Sequence, residues 1–255
     1  MSFLMTELGL RWPLIQAPMA GVQDHGLAAA VCQAGGLGSL PGAMLDAAGV
    51  AREIDHLRAL TDRPFNLNFF CHKPPVSKPE QLAAWNRAFA HHDATWGIDR
   101  ASVPPGPGRR PFDAEMAEVV RQARPVVVSF HFGLPADDLL ASVRAAGVRI
   151  LSSATTLEEA LWLEAGGVDA IIAQGLEAGG HRGLFLDSDL ATQQPLASLL
   201  PAVVAAVRVP VIAAGGIADA AAGRTAITNV FTGRPARGIV NRLIEELGQI
   251  GRAHV

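Results

Sequence analysis

Seven times along this chain a short apolar run ends in glycine, proline or a polar residue and gives way to a longer stretch rich in alanine, leucine and glutamate. The runs are LIQAPMAG (Leu14–Gly21), LGSL, PFNLNFF, RPVVVSFHFG, VRILSSA, VDAIIAQG and RVPVIAAGG. Runs that are apolar at nearly every position are strands buried on both faces, and strands separated by helices run parallel. The stretches between them carry helix punctuation. In DHGLAAAVCQAGG, for example, Asp24 stands at the N-cap position and Gly35-Gly36 close the helix. One interval is different: the proline- and glycine-rich segment 97–112 forces an extended loop.

Two architectures satisfy a parallel α/β pattern, a closed barrel and an open doubly wound sheet. Ligand-type residues stand at the C-terminal ends of many strands: Gln16 and Met19, Asn66 and Asn68, His131, Gln174, and Gly215-Gly216. In a barrel all these ends converge on one face, whereas an open sheet brings together only the strands beside its switch point. The expected fold is therefore a TIM (β/α)8-type barrel over residues 1–222, and 255 residues suit one such domain. The remainder, 223–255, contains the amphipathic stretch ARGIVNRLIEEL. It reads as a helical segment packing on the barrel, or against a second subunit in a homodimer.

Composition removes several classes of partner. A net charge of −3 leaves no basic footprint for nucleic acid. Only Cys32 and Cys71 occur, which suits a reducing compartment without a disulfide framework. The N-terminus lacks the basic and apolar regions of a signal peptide, and no apolar run is long enough to span a bilayer. A cytoplasmic protein is expected.

The richest segment is AQGLEAGGHRG (Ala173–Gly183), which closes a buried strand with glycines and then plants His181 among them. Bare backbone N–H groups at a strand-to-helix turn form an anion site, and the following unit repeats the device in AAGGIAD. Either stretch alone could be a tight turn; two in consecutive units point to a phosphate. His181 at the mouth could act as a general base or as a partner for an anionic substrate. His131, in SFHFG, should point away from both Phe130 and Phe132 by strand alternation. A half-buried imidazole satisfied by a backbone carbonyl is the plain alternative. Asn66 and Asn68 share one strand face, and buried amides demand partners, as Gln174 does. A flavin edge would supply them. Glu177 reads as a brace for the loop. His91-His92-Asp93 sits in a polar helical stretch and reads as solvated surface, and Cys71-His72 lacks any other ligand at recognisable spacing, so no metal is expected.

QAPMAG, NLNFFCH, SFHFG, AQGLEAGGHRG and AAGGIAD, in this order, resemble the nitronate monooxygenases, FMN-dependent TIM-barrel enzymes also called 2-nitropropane dioxygenases. FTGRPARGIVNRL (Phe231–Leu243) resembles their C-terminal segment. The resemblance implies oxidation of alkyl nitronates, such as propionate 3-nitronate, by O2 to a carbonyl compound and nitrite. It implies that Met19, Asn68 and Gln174 contact the isoalloxazine and ribityl groups of FMN. Gly179, Gly180, Gly215 and Gly216 would cradle its phosphate. His181 would be the catalytic histidine, with His131 beside it orienting the substrate.

One stretch departs from the pattern. Between GGIADA and TNVFTGRPARG stand only the residues AAGRTAI, where the family has a helix, an eighth strand with a second phosphate turn, and a further helix. A shortfall on the order of 30 residues would leave the barrel without its eighth strand–helix unit and with an open edge. Either a stretch is absent from the sequence alone, or the chain is a deletion variant. Two rival functions follow: a related FMN barrel that reduces quinones or enoyl-thioesters with NAD(P)H, and a non-catalytic remnant that binds no flavin.

Overall fold

A computed structural model of the chain describes residues 3–74, 78–103, 109–219, 221 and 223. The C-terminal helical segment expected over 223–255 and the unit break at AAGRTAI lie outside these residues apart from positions 221 and 223, as does the tip of the proline-rich loop.

One sheet of six parallel strands forms the centre. The strands are β1 (Gly38–Pro41), β2 (Phe65–Phe70), β3 (Val127–His131), β4 (Arg149–Ala154), β5 (Ala170–Gln174) and β6 (Val211–Ala214), and their order in space is their order in the chain. A doubly wound sheet reverses direction at a switch point. This sheet never does, so it curls as a half-barrel of the TIM type. Between the strands lie α2 (His25–Ala34), α3 (Ala47–Leu60), α4 (Pro79–Trp96), α5 (Ala114–Ala123), α6 (Asp137–Ala145), α7 (Leu157–Ala165) and α8 (Leu196–Ala206), preceded by a short α1 (Phe3–Thr6). Asp24 caps α2 through its carboxylate and Gly35 ends that helix with φ 97°, as the punctuation predicted. No described helix is long and apolar enough to cross a membrane.

The run Leu14–Gly21 is not the buried strand its composition suggests. It contributes one parallel bridge, Ile15 to Leu37, and Leu14 is 51% exposed. Pro13 and Pro18 bracket the run and remove two backbone donors, so the ladder cannot extend either way.

Side chains alternate between two cores. Leu67, Phe69, Val128, Phe130, Ile150, Ile171 and Val211 point outward and pack under Ile54, Leu57, Val120, Val143, Leu163, Leu199 and Val203 of the helices. The inward set is apolar at the base, where Leu37, Val127, Leu151 and Ala170 are plugged by Leu4, Leu8 and Leu10 from the N-terminal segment. Each plug leucine is almost fully buried and stabilises the fold by about 1.5–3 kcal/mol. Towards the C-terminal ends of the strands the inward positions turn polar: Asn66 and Asn68, Ser129 and His131, Ser153, and Gln174. That change of polarity along each strand makes the upper end a site and the lower end a core.

Candidate active site

The polar layer starts with two asparagines held by serines of neighbouring strands. Asn66 Nδ2 donates to Ser39 Oγ at 3.0 Å, and Asn68 Nδ2 donates to Ser129 Oγ at 2.9 Å. Ser39 Oγ in turn donates to the Gln16 carbonyl at 2.7 Å, joining the first bridge to the layer. Asn66 Oδ1 is buried and has no donor among the described residues.

Above this layer β3 ends in His131, which faces inward as alternation predicted. Its Nδ1 lies 3.1 Å from Ser153 Oγ and its Nε2 lies 3.2 Å from the backbone carbonyl of His181. A carbonyl can only accept, so Nε2 carries the proton and Nδ1 accepts from the serine hydroxyl. Burial pushes the His131 imidazole down to about 4, against the opposing pull of that carbonyl, and the ring is neutral at pH 7. Both ring nitrogens are thus engaged by the protein.

Gln174, at the end of β5, grips the same loop. Its Nε2 donates to the His181 carbonyl at 3.0 Å, and its Oε1 accepts from Gly183 N at 2.8 Å. Gly183 must be glycine here, because a Cβ would stand 2.7 Å from His131 Cε1. Two side chains from two strands therefore hold His181 by its backbone and leave its ring at the exposed mouth. Burial lowers the His181 pKa first, followed by the Arg109 charge and the His72 imidazole.

The neighbouring rings include one that strand alternation misplaces. Phe132 was expected opposite His131, but the two ring centroids are 4.4 Å apart. Phe132 has φ 68°, a left-handed conformation that a bulky side chain adopts only under constraint, and this turns the chain so that both rings face the site. Phe70 completes the group at 5.3 Å from the His181 ring and 5.2 Å from Phe132.

The two glycine-rich turns lie against each other. A Cβ on Gly215 would meet Ala178 N at 2.8 Å, and one on Gly216 would meet Glu177 Cβ at 2.8 Å. Glu177 braces the turn as expected, accepting from Leu196 N at the start of α8. Gly179 and Gly180 face open space, and among the described residues their amides donate to no acceptor. Met19 stands on the segment after the first bridge, 41% exposed, with its amide donating to Gln23 Oε1 at 3.0 Å.

Sequence reasoning missed Glu159. It sits in the first turn of α7, only 1% exposed, and its carboxylate accepts from Thr155 N (2.7 Å), Thr155 Oγ1 (2.8 Å), Phe185 N (2.7 Å) and Leu186 N (3.3 Å). It thereby ties the loop leaving His181 to the end of β4. The spacing Thr156-x-x-Glu159 is that of a capping box, which would have drawn attention to the residue. Its second partner, across from α7, is not visible in local sequence.

The family model described as nitronate monooxygenase matches residues 2–222. A nitronate monooxygenase from Paraburkholderia phytofirmans is 45% identical over 223 residues, covering 86% of this chain and 60% of the relative. One from Pseudomonas aeruginosa is 36% identical over 280 aligned positions, covering 92% of this chain and 79% of the relative. Those 280 positions exceed the 255 residues of the chain, so the alignment crosses gaps in it. Among solved structures, the nitroalkane oxidase from Streptomyces ansochromogenes superimposes with a TM-score of 0.77 at 39% identity, covering 89% of this chain and 64% of that one. FabK from Thermotoga maritima superimposes at 0.66 with 25% identity, covering 90% and 59%. The chain thus spans about three fifths of the P. phytofirmans protein and of FabK. With its family match extending from residue 2 to residue 222, this chain belongs to the nitronate monooxygenase family.

Proposed function

We propose that this chain is the core of an FMN-dependent enzyme that oxidises alkyl nitronates, of which propionate 3-nitronate is one, with O2 to an aldehyde or ketone and nitrite. The observation that carries the proposal is the placement of His181. Its carbonyl is held by His131 and Gln174 while its ring stands at the mouth, beside the Gly179-Gly180 turn, whose amides have no acceptor among the described residues.

The residues present fit FMN at two places. The Gly179 and Gly180 backbone, with open space where side chains would stand and Gly215-Gly216 alongside, supports a phosphate cradle there. The orphaned Asn66 Oδ1 is an acceptor of the kind an imide N–H would fill. The Gln174 and Asn68 amides, assigned to the isoalloxazine by the family resemblance, hydrogen-bond to the protein itself. They serve the site by positioning the loop and the polar layer. When bound, FMN would supply the electron-accepting chemistry and its reoxidation by O2.

The chain's own residues do the rest. His181 is neutral at pH 7 because its surroundings lower its pKa, so its ring offers one N–H to an oxygen of the nitronate. Arg109, close enough to perturb that ring, adds positive potential for an anion. Phe70 and Phe132 flank the His181 ring on the approach.

The test is an FMN titration of the protein followed by visible absorption. The proposal expects saturable binding and a yellow protein near 450 nm, roughly where oxidised flavins absorb. A chain that stays colourless after reconstitution would point to the non-catalytic remnant. Anaerobic bleaching by NADH without nitronate turnover would point to the reductase.

A further inference from the structure

Outside the sheet, α2 and α3 pack side by side, and three side chains with metal-ligating atoms converge between them. His25 opens α2. Glu53 and His56 stand three residues apart on α3, the spacing that places two side chains on one helix face. His25 Nδ1 lies 3.0 Å from Glu53 Oε2, and the His25 and His56 ring centroids are 4.7 Å apart with planes inclined by 59°. One ligand atom from each of the three residues lies within 4.8 Å of the other two.

This donor set matches a particular ion chemistry. Two imidazoles and one carboxylate suit divalent transition ions, above all Zn2+, and three protein ligands leave a fourth position for water. With Zn–N and Zn–O bonds of about 2.0–2.2 Å, tetrahedral geometry sets the ligand atoms roughly 3.3–3.6 Å apart. The His25–Glu53 pair is already near that separation. His56 is exposed, so it can close the remaining distance by side-chain rotation.

Glu53 also has a simpler task. Its Oε2 accepts from His25 N at 3.0 Å and so caps the first turn of α2. The same Oε2 also lies 3.0 Å from His25 Nδ1, so the cap and the imidazole contact share one carboxylate oxygen. Neither contact involves His56 or explains why it is placed beside the pair. Glu53 further lines an open cavity of about 330 Å3 with Gln23, Asp24 and Met44.

We propose that His25, Glu53 and His56 form a three-ligand site for a divalent transition ion that staples α2 to α3, separate from the His131–His181 site. Sequence spacing alone suggested no metal, because the ligands come from two helices and 28 residues separate His25 from Glu53. The site is independent of the proposed oxidation.

The experiment uses untagged protein freed of metal with a chelator, titrated with Co2+ and then Zn2+. One Co2+ per chain should bind, with the intense visible bands of a four-coordinate ion. Zn2+ should displace it and raise the melting temperature. His56→Gln should lose the one-to-one binding and the bands while keeping the metal-free melting temperature, because His56 is exposed. A His91→Gln/His92→Gln double variant on α4 should bind as the parent does. Absence of saturable binding, or binding that survives His56→Gln, or binding lost in the α4 variant, would overturn the proposal.

Discussion

His131 holds His181 by the backbone, its Nε2 donating to the His181 carbonyl at 3.2 Å, while Gln174 donates to the same oxygen at 3.0 Å. The two histidines thus divide the work. His131 is a buried, neutral positioning residue whose nitrogens are both engaged, and His181 presents a free ring.

His131→Phe keeps an aromatic body but deletes both hydrogen bonds. Misplacing a reacting group by about 1 Å can cost about 100-fold in rate, and a fall of that order in kcat/KM is expected. FMN affinity should stay within a few-fold of the parent, because the glycine turns are untouched. Steady-state kinetics together with a flavin titration check both parts.

His131 also sets a pH dependence of stability. Its folded pKa of about 4 lies below the ordinary 6.5, so the unfolded chain binds a proton that the folded chain refuses. The contribution is complete above about pH 6.5, declines as pH falls through the window down to about 4, and changes no further below that. Its full size is about 3 kcal/mol at about 1.4 kcal/mol per pH unit. Denaturant unfolding at several pH values should show this slope, and His131→Gln should flatten it.

Glu159→Gln puts an NH2 group, which cannot accept, in place of one carboxylate oxygen, either the one serving the Phe185 and Leu186 amides or the one serving Thr155 N and Oγ1. At least one pair of buried donors then loses its partner, and a loss of about 2–4 kcal/mol is expected. The loop from Gly183 to Leu186 should become more open to hydrogen exchange. Unchanged stability and unchanged exchange in that loop would show that the carboxylate does not anchor it.

Glycine substitutions separate fold from ligand. Gly216 has φ 65°, and a Cβ there would stand 2.8 Å from Glu177 Cβ, so Gly216→Ala should cost at least about 1–2 kcal/mol without any ligand. Gly179 meets nothing within 4 Å, so Gly179→Ala should leave the ligand-free protein within about 0.5 kcal/mol of the parent. It should still weaken FMN binding, since the added methyl occupies the proposed cradle. Calorimetry without flavin and a titration with it distinguish the two effects.

What sequence could reveal follows the range of the interactions. The six paired strands were legible because burial on both faces writes a continuous apolar run. Leu14–Gly21 has the same composition but fails to extend, since Pro13 and Pro18 remove donors that hydropathy does not count. Barrel against open sheet was settled by strand order, which is a property of space. His131, Gln174 and His181 were all identified, yet their relation was not, because it runs through the backbone of a loop. The ring of Phe132 was placed on the wrong face since alternation assumes extended backbone, and its φ of 68° breaks that assumption. Glu159 escaped because Phe185, whose amide it accepts, lies 26 residues away.

The most direct test of the central claim is oxygen uptake by the FMN-loaded protein with propionate 3-nitronate, beside the same measurement on His181→Asn. The account predicts consumption of O2 with release of nitrite, and a loss of at least about 100-fold in the variant, the range expected for a positioned imidazole. Flavin-loaded protein that consumes no O2 with the nitronate, or a variant that turns over as fast as the parent, would contradict it.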